Sequence, residues 1–213
     1  MNNHSKISWR RILITGVLTF IAAPVTVLLH ELAHIIAFTL AGIPSHLVAF
    51  GMAMPVGYQW NIESLQQAQL HYGAGTGVFV FGVLAGPLLT LALGYGGLLV
   101  FRRWKHLWLW GIAFSAIGLR MVGVLTNVPK IIAETINTSD EVLAAYFLGQ
   151  PSWVVYWPSL AIGLTCVGLL ITALPKQGRF LTALTGLISS LIGFLAVESL
   201  FNLFVFHLKT WTR

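Results

Sequence analysis

His30 and His34 stand four positions apart with Glu31 between them, giving H-E-x-x-H within Leu28-Leu29-His30-Glu31-Leu32-Ala33-His34. In a helix this spacing puts both imidazoles on one face, one turn apart, where they can reach a single metal ion. Glu31 then lies beside that ion, placed to act on a water there. The chemistry this implies is zinc-assisted hydrolysis, with Glu31 as the general base. The competing reading is a chance polar patch at a helix interface. It loses ground in an apolar run, because three ionisable residues within five positions are costly in a membrane and are normally kept there for function. A catalytic zinc takes three protein ligands and leaves a fourth position open, so one further ligand must come from elsewhere in the chain.

The elements that must position these residues are membrane helices. Charged residues make up 8% of the 213-residue chain and apolar residues 57%, whereas an ordinary soluble domain carries about 25% charged residues. Apolar runs predict five spans, at about 12–41, 75–101, 107–128, 153–174 and 180–207, each long enough to cross a bilayer. The expected fold is a single integral membrane domain, an all-α polytopic bundle of about five transmembrane helices. Residues 43–74, with Pro44, Pro55 and the alternating Leu47-Val48-Ala49-Phe50, read as a loop, with room for a short hairpin. Pro129 reads as the stop of the third span. Within the second span, Gly82-Val83-Leu84-Ala85-Gly86 has the small-residue spacing that lets helix backbones approach closely.

Charge sets the orientation. Lys6, Arg10 and Arg11 precede the first span, Arg102, Arg103 and Lys105 follow the second, and Lys176 and Arg179 follow the fourth. The intervening loops hold few basic residues, so the N-terminus is predicted cytoplasmic. The tail residues Lys209 and Arg213 fit this pattern less well. Trp9, Trp104, Trp108, Trp110, Trp153, Trp157 and Trp211 fall near span ends, as amphipathic rings at the headgroup level should. A cleaved signal peptide ending near Ala22-Ala23 is disfavoured, since the first apolar run continues past it. The net charge of +6 is spread over span ends rather than along one face, which excludes a nucleic-acid surface. Cys166, the only cysteine, rules out an internal disulfide and a multi-cysteine metal site.

This topology makes Asp140 the first choice for the third ligand. Its loop, which also holds Glu134 and Glu141, lies on the non-cytoplasmic side. His30 stands 19 residues beyond Arg11, nearly 30 Å of helical rise, at the same face. Glu141, Glu198, His46 and His71 remain alternatives. Arg120 and Asn127, seven residues apart on one helix face, could stabilise an oxyanion. A salt pair between Arg120 and Glu198, or an Asn127 cap, is the simpler expectation. Gly73, Gly75 and Gly77 lack the lysine of a phosphate loop and read as helix packing.

The His30–His34 segment resembles the active-site helix of the site-2 protease family of intramembrane zinc metallopeptidases. Ala85-Gly86-Pro87-Leu88-Leu89-Thr90 is similar to that family's glycine-proline motif, with Thr90 where asparagine is often found. Its Asn-Pro-Asp-Gly type motif has a partial counterpart in Asn127-Val128-Pro129 and, further on, Ser139-Asp140-Glu141. The resemblance implies a Zn2+ ion held by His30, His34 and Asp140, with Glu31 catalytic and peptide bonds of membrane-embedded or membrane-proximal proteins as substrate. A substrate helix would have to unwind to expose its peptide bonds, and the 43–74 loop could hold it as an added strand. Two other functions fit the same residues: a membrane scaffold or chaperone that cleaves nothing, and an ion- or proton-coupled transporter using His30, Glu31, His34, Arg120 and Glu198.

Overall fold

The computed structural model describes residues 8–133, 135 and 138–211, and side chains as far as residue 203. Lys6, Glu134, Arg213 and the side chains of Lys209 and Trp211 lie outside the described residues. The chain runs α1 (Trp9–Leu40), β1 (Ser45–Ala49), β2 (Met52–Pro55), α2 (Ile62–Tyr72), α3 (Thr76–Trp104), α4 (Leu107–Ile132), α5 (Asp140–Phe147), α6 (Ser152–Ala173) and α7 (Arg179–Trp211). Five of these, α1, α3, α4, α6 and α7, are long and apolar enough to cross a membrane. The fold is therefore the all-α polytopic bundle its apolar runs dictate, with one small antiparallel hairpin among the described residues.

The connections depart from expectation. Residues 62–72 form a helix: Asn61 caps it by accepting from the Ser64 N–H, Glu63 sits in its first turn, and Gly73 closes it in the left-handed conformation, φ 60°. Gly73 is thus a cap and Gly75 precedes the first turn of α3, while open space surrounds Gly77, so none of the three mediates helix packing. Pro129 does not end α4, which continues to Ile132. Pro24, Pro87 and Pro158 likewise sit inside helices; membrane helices tolerate proline where neighbouring groups satisfy the freed carbonyls. Arg102 and Arg103 belong to the last turn of α3 rather than to a connection, where they complement the negative end of the helix dipole. Asn127 lies within α4, whose C-cap is Ala133, so it is not the cap.

Among the described residues, two apolar clusters hold the bundle together. One joins α3, α4, α6 and α7 around Trp110, Ile117, Tyr156 and Leu170. Trp110, expected at the headgroup level, is instead fully buried: it stacks on Phe114 at 4.3 Å, and its indole N–H donates to the Leu170 carbonyl at 2.9 Å. Trp9, Trp104, Trp108, Trp153 and Trp157 are exposed, as interfacial rings are. The second cluster gathers Phe38 of α1, Leu65 of α2, Phe79 and Val83 of α3, and Leu143 of α5. The hairpin folds back onto α1 as far as Glu31, nine residues before the helix end at Leu40, a depth of about 14 Å along the axis. Non-helical backbone at such depth requires internal partners or a cavity wall, and the hairpin has both.

Candidate metal centre

The centre is built where α1 and α3 run side by side in opposite directions. His34 Nδ1 lies 2.8 Å from the Gly82 carbonyl, and His30 Nδ1 lies 2.8 Å from Thr90 Oγ1. Each partner fixes a tautomer. A carbonyl only accepts, so His34 carries its proton on Nδ1. Thr90 donates its own proton to the Gly86 carbonyl at 3.0 Å, so it accepts from His30 Nδ1–H. Both Nε2 atoms are left with lone pairs, 3.2 Å apart. Two such lone pairs repel unless a proton or a cation lies between them.

The four-residue spacing on α1 is matched on α3 by Gly82, Gly86 and Thr90. Here glycine admits side chains rather than another backbone. A Cβ at Gly86 would lie 2.6 Å from His30 Nε2, and one at Gly82 would lie 2.5 Å from the Phe38 ring. The expected backbone-to-backbone approach at this motif is thus an approach to the two imidazoles and Phe38.

Asp140, the first residue of α5, completes the group. Its Oδ2 lies 3.3 Å from His30 Nε2 and 3.9 Å from His34 Nε2, so His30, His34 and Asp140 converge on one point and could hold a metal ion. The indole N–H of Trp60 donates to Asp140 Oδ1 at 3.3 Å, which leaves Oδ2 facing the imidazoles. Burial by itself would raise the Asp140 carboxyl. Contact with the His30 and His34 rings and the charge of Arg120 outweigh it, holding the group well below the usual carboxylate range.

Glu31 is buried, and its Oε2 accepts from the Ala53 N–H of β2 at 2.7 Å. That amide points away from β1, so the carboxylate tethers the free edge of the hairpin to α1. A cavity of about 600 Å³ opens beside the group, lined by His30, Glu31, His34 and Asp140, by the strand residues Met52–Met54, and by Gln59, Trp60 and Asn61. A second, of about 420 Å³, lies on the α4 and α7 side and shares His30, Glu31, Gly51 and Asp140 with the first. Its remaining walls are mostly apolar, with Arg120, Asn127 and Glu141 at the polar part.

The other candidates lie elsewhere. His46 is exposed on β1, and His71 is exposed at the end of α2 beside Tyr58 and Tyr72. Glu141 turns from the imidazoles to Arg120 and Ser159. The expected Arg120–Glu198 pair is not formed. Arg120 bonds to Glu141 and lies 3.5 Å from Asp140 Oδ2, because α5 returns both acids to the middle of α4. Trp60 and Thr90 had no assigned role in the sequence, yet each holds one of the three converging side chains. Trp60 alone among the eight tryptophans falls away from a span end, and that displacement was its available signal. No family model matches the chain, and neither the curated proteins nor the solved structures yield a match to it.

Proposed function

We propose that the protein is an intramembrane zinc metallopeptidase that hydrolyses peptide bonds of membrane-embedded or membrane-proximal proteins. The observation that carries this reading is the convergence of two Nε2 lone pairs and one carboxylate oxygen, with Glu31 in the wall of the same cavity. Donors around a tetrahedral zinc at ordinary bond lengths stand about 3.3 Å from one another; the three separations here are 3.2, 3.3 and 3.9 Å. Two imidazoles and a carboxylate also match the donor set of hydrolytic zinc sites, which keep a fourth position for water. The resemblance of His30–His34 and of Ala85–Thr90 to the site-2 protease family points the same way.

A bound zinc supplies Lewis acidity, which acidifies a water and polarises a peptide carbonyl. The chain's residues do the rest. Thr90 and the Gly82 carbonyl keep the two rings turned with Nε2 inward. Glu31 takes the proton from the attacking water and returns it to the departing amine. Its tether to Ala53 holds the carboxylate still and brings the free edge of β2 alongside the cavity. An unwound substrate segment lying along that edge finds the Ala53 carbonyl as an acceptor, while the Ala53 N–H is already committed. The basic residues before α1 support a cytoplasmic N-terminus, with the hairpin and α5 at the opposite face.

One observation favours a second reading. Because Glu31 is a strut for the hairpin, a scaffold that cleaves nothing would also keep it. Glu31→Gln separates the two, since glutamine retains an oxygen to accept from Ala53 but cannot take a proton. Zinc-loaded protein is incubated in proteoliposomes with a panel of single-span membrane proteins, and products are read by mass spectrometry. A peptidase cleaves at least one, and Glu31→Gln slows it by about 10²–10⁴-fold with zinc retained. Cleavage that survives the substitution would contradict the assignment of Glu31.

A further inference from the structure

We infer that Arg120 is a positioning residue for the metal site, and that a chain of contacts from Ser159 through Glu141 and Arg120 presents Asp140 Oδ2 as the third ligand. The inference rests on the metal reading above. Asp140 needs such support because it opens a helix of only eight residues, fixed at its start by the Ser139 cap on the Val142 N–H. His30 and His34, by contrast, sit inside a 32-residue span.

Arg120 lies inside α4 with its side chain 8% exposed. A lone guanidinium in that setting is costly and requires partners. Both of its terminal nitrogens are committed to carboxylates: Nη2 donates to Glu141 Oε1, and Nη1 stands 3.5 Å from Asp140 Oδ2. Only Nε is buried without a protein partner. The planar fork therefore spans two successive acids of α5, and it addresses the same oxygen of Asp140 that faces the imidazoles. Ser159 of α6 donates to Glu141 Oε1 at 2.9 Å, so the far end of the fork is anchored to a third helix. If the ion pair served only to join α4 to α5, Glu141 would suffice as partner. The second arm of the guanidinium fixes the ligand itself, as groups outside a metal site commonly do. Lysine, a point charge, cannot span both acids.

Cobalt(II) titration in detergent tests this, since the visible spectrum of bound cobalt reports its coordination independently of any turnover. The unaltered protein binds cobalt with the intense bands of a four-coordinate site, and Asp140→Ala alters them. Arg120→Met weakens cobalt binding by about 10–100-fold and shifts the spectrum toward that of Asp140→Ala. Arg120→Lys falls between. Ser159→Ala leaves every charge in place and weakens binding in the same direction, and it decides the matter if Arg120→Met does not fold. Unaltered affinity and spectrum in Ser159→Ala, and in Arg120→Met where that variant folds, would overturn the positioning role while leaving the metal site standing. No four-coordinate spectrum in the unaltered protein would overturn the metal reading, and this inference with it.

Discussion

Substituting Gly86 by alanine tests the packing of α1 on α3 at its tightest point. In the interior of a helix this change ordinarily stabilises by up to about 1 kcal/mol, since glycine is the poorer helix former. Here the added Cβ would lie 2.6 Å from His30 Nε2 and 2.8 Å from His30 Cδ2, and would also strike His34 Nε2. Ordinary contact begins near 3.4 Å, so the His30 ring must retreat by about 0.8 Å. A metal site tolerates about 0.2 Å in its bond lengths, and the clash falls on the donor atoms themselves. Gly86→Ala is therefore expected to lower zinc affinity by about 10–100-fold while the helical content of the protein is preserved. Gly77→Ala serves as the control, because nothing lies within 4 Å of a Cβ there. Competition titration with a zinc chelator, beside circular dichroism, gives both readings. Gly86→Ala protein that binds zinc within about threefold of the unaltered affinity would show that the glycine does not set the position of the two imidazoles.

Thr90→Ala removes the acceptor that fixes the His30 tautomer, so zinc affinity should fall by about 10–100-fold. Thr90→Ser keeps the hydroxyl and should bind nearly as well; equal affinity in Thr90→Ala would contradict the role given to Thr90. Glu31→Ala strips the acceptor from the Ala53 N–H, whose residue is 2% exposed, and an amide left without a partner costs about 1–3 kcal/mol. Amide hydrogen exchange at Ala53 should accelerate in Glu31→Ala and stay slow in Glu31→Gln. Equal rates in the two would show that the tether does not hold the hairpin.

The spans were legible because their signal is plain apolar length: observed ends lie within four residues of the expected ones for the first four spans. The fifth starts one residue early, and its side chains are described only as far as residue 203. Between spans that signal fails. Helix α2 buries only Leu65 and Ala68, so no apolar stripe announced it, and its marks were local ones, Asn61 and Glu63 at its start and Gly73 at its end. The hairpin was foreshadowed by alternation at 47–50, but its fold-back onto Glu31 is a tertiary contact across 22 residues that no local pattern encodes. His30 and His34 were legible because helical geometry alone unites them. Asp140 was reached through topology, since the sides of the membrane could be counted. Arg120 was misassigned to Glu198 because counting sides says nothing about which acid a short helix returns to it. Trp110 went to the interface on position alone, whereas a buried carbonyl partner on α6 holds it inside.

The zinc peptidase proposed above requires that His30, His34 and Asp140 bind one zinc ion. Elemental analysis of detergent-purified protein tests it most directly, comparing the unaltered chain with His34→Ala and Asp140→Ala at matched helical content. About one zinc per unaltered chain, lost from both variants, is expected. A folded, unaltered protein that takes up no zinc when it is supplied, or variants that retain it in full, would show that these three residues do not form a zinc site.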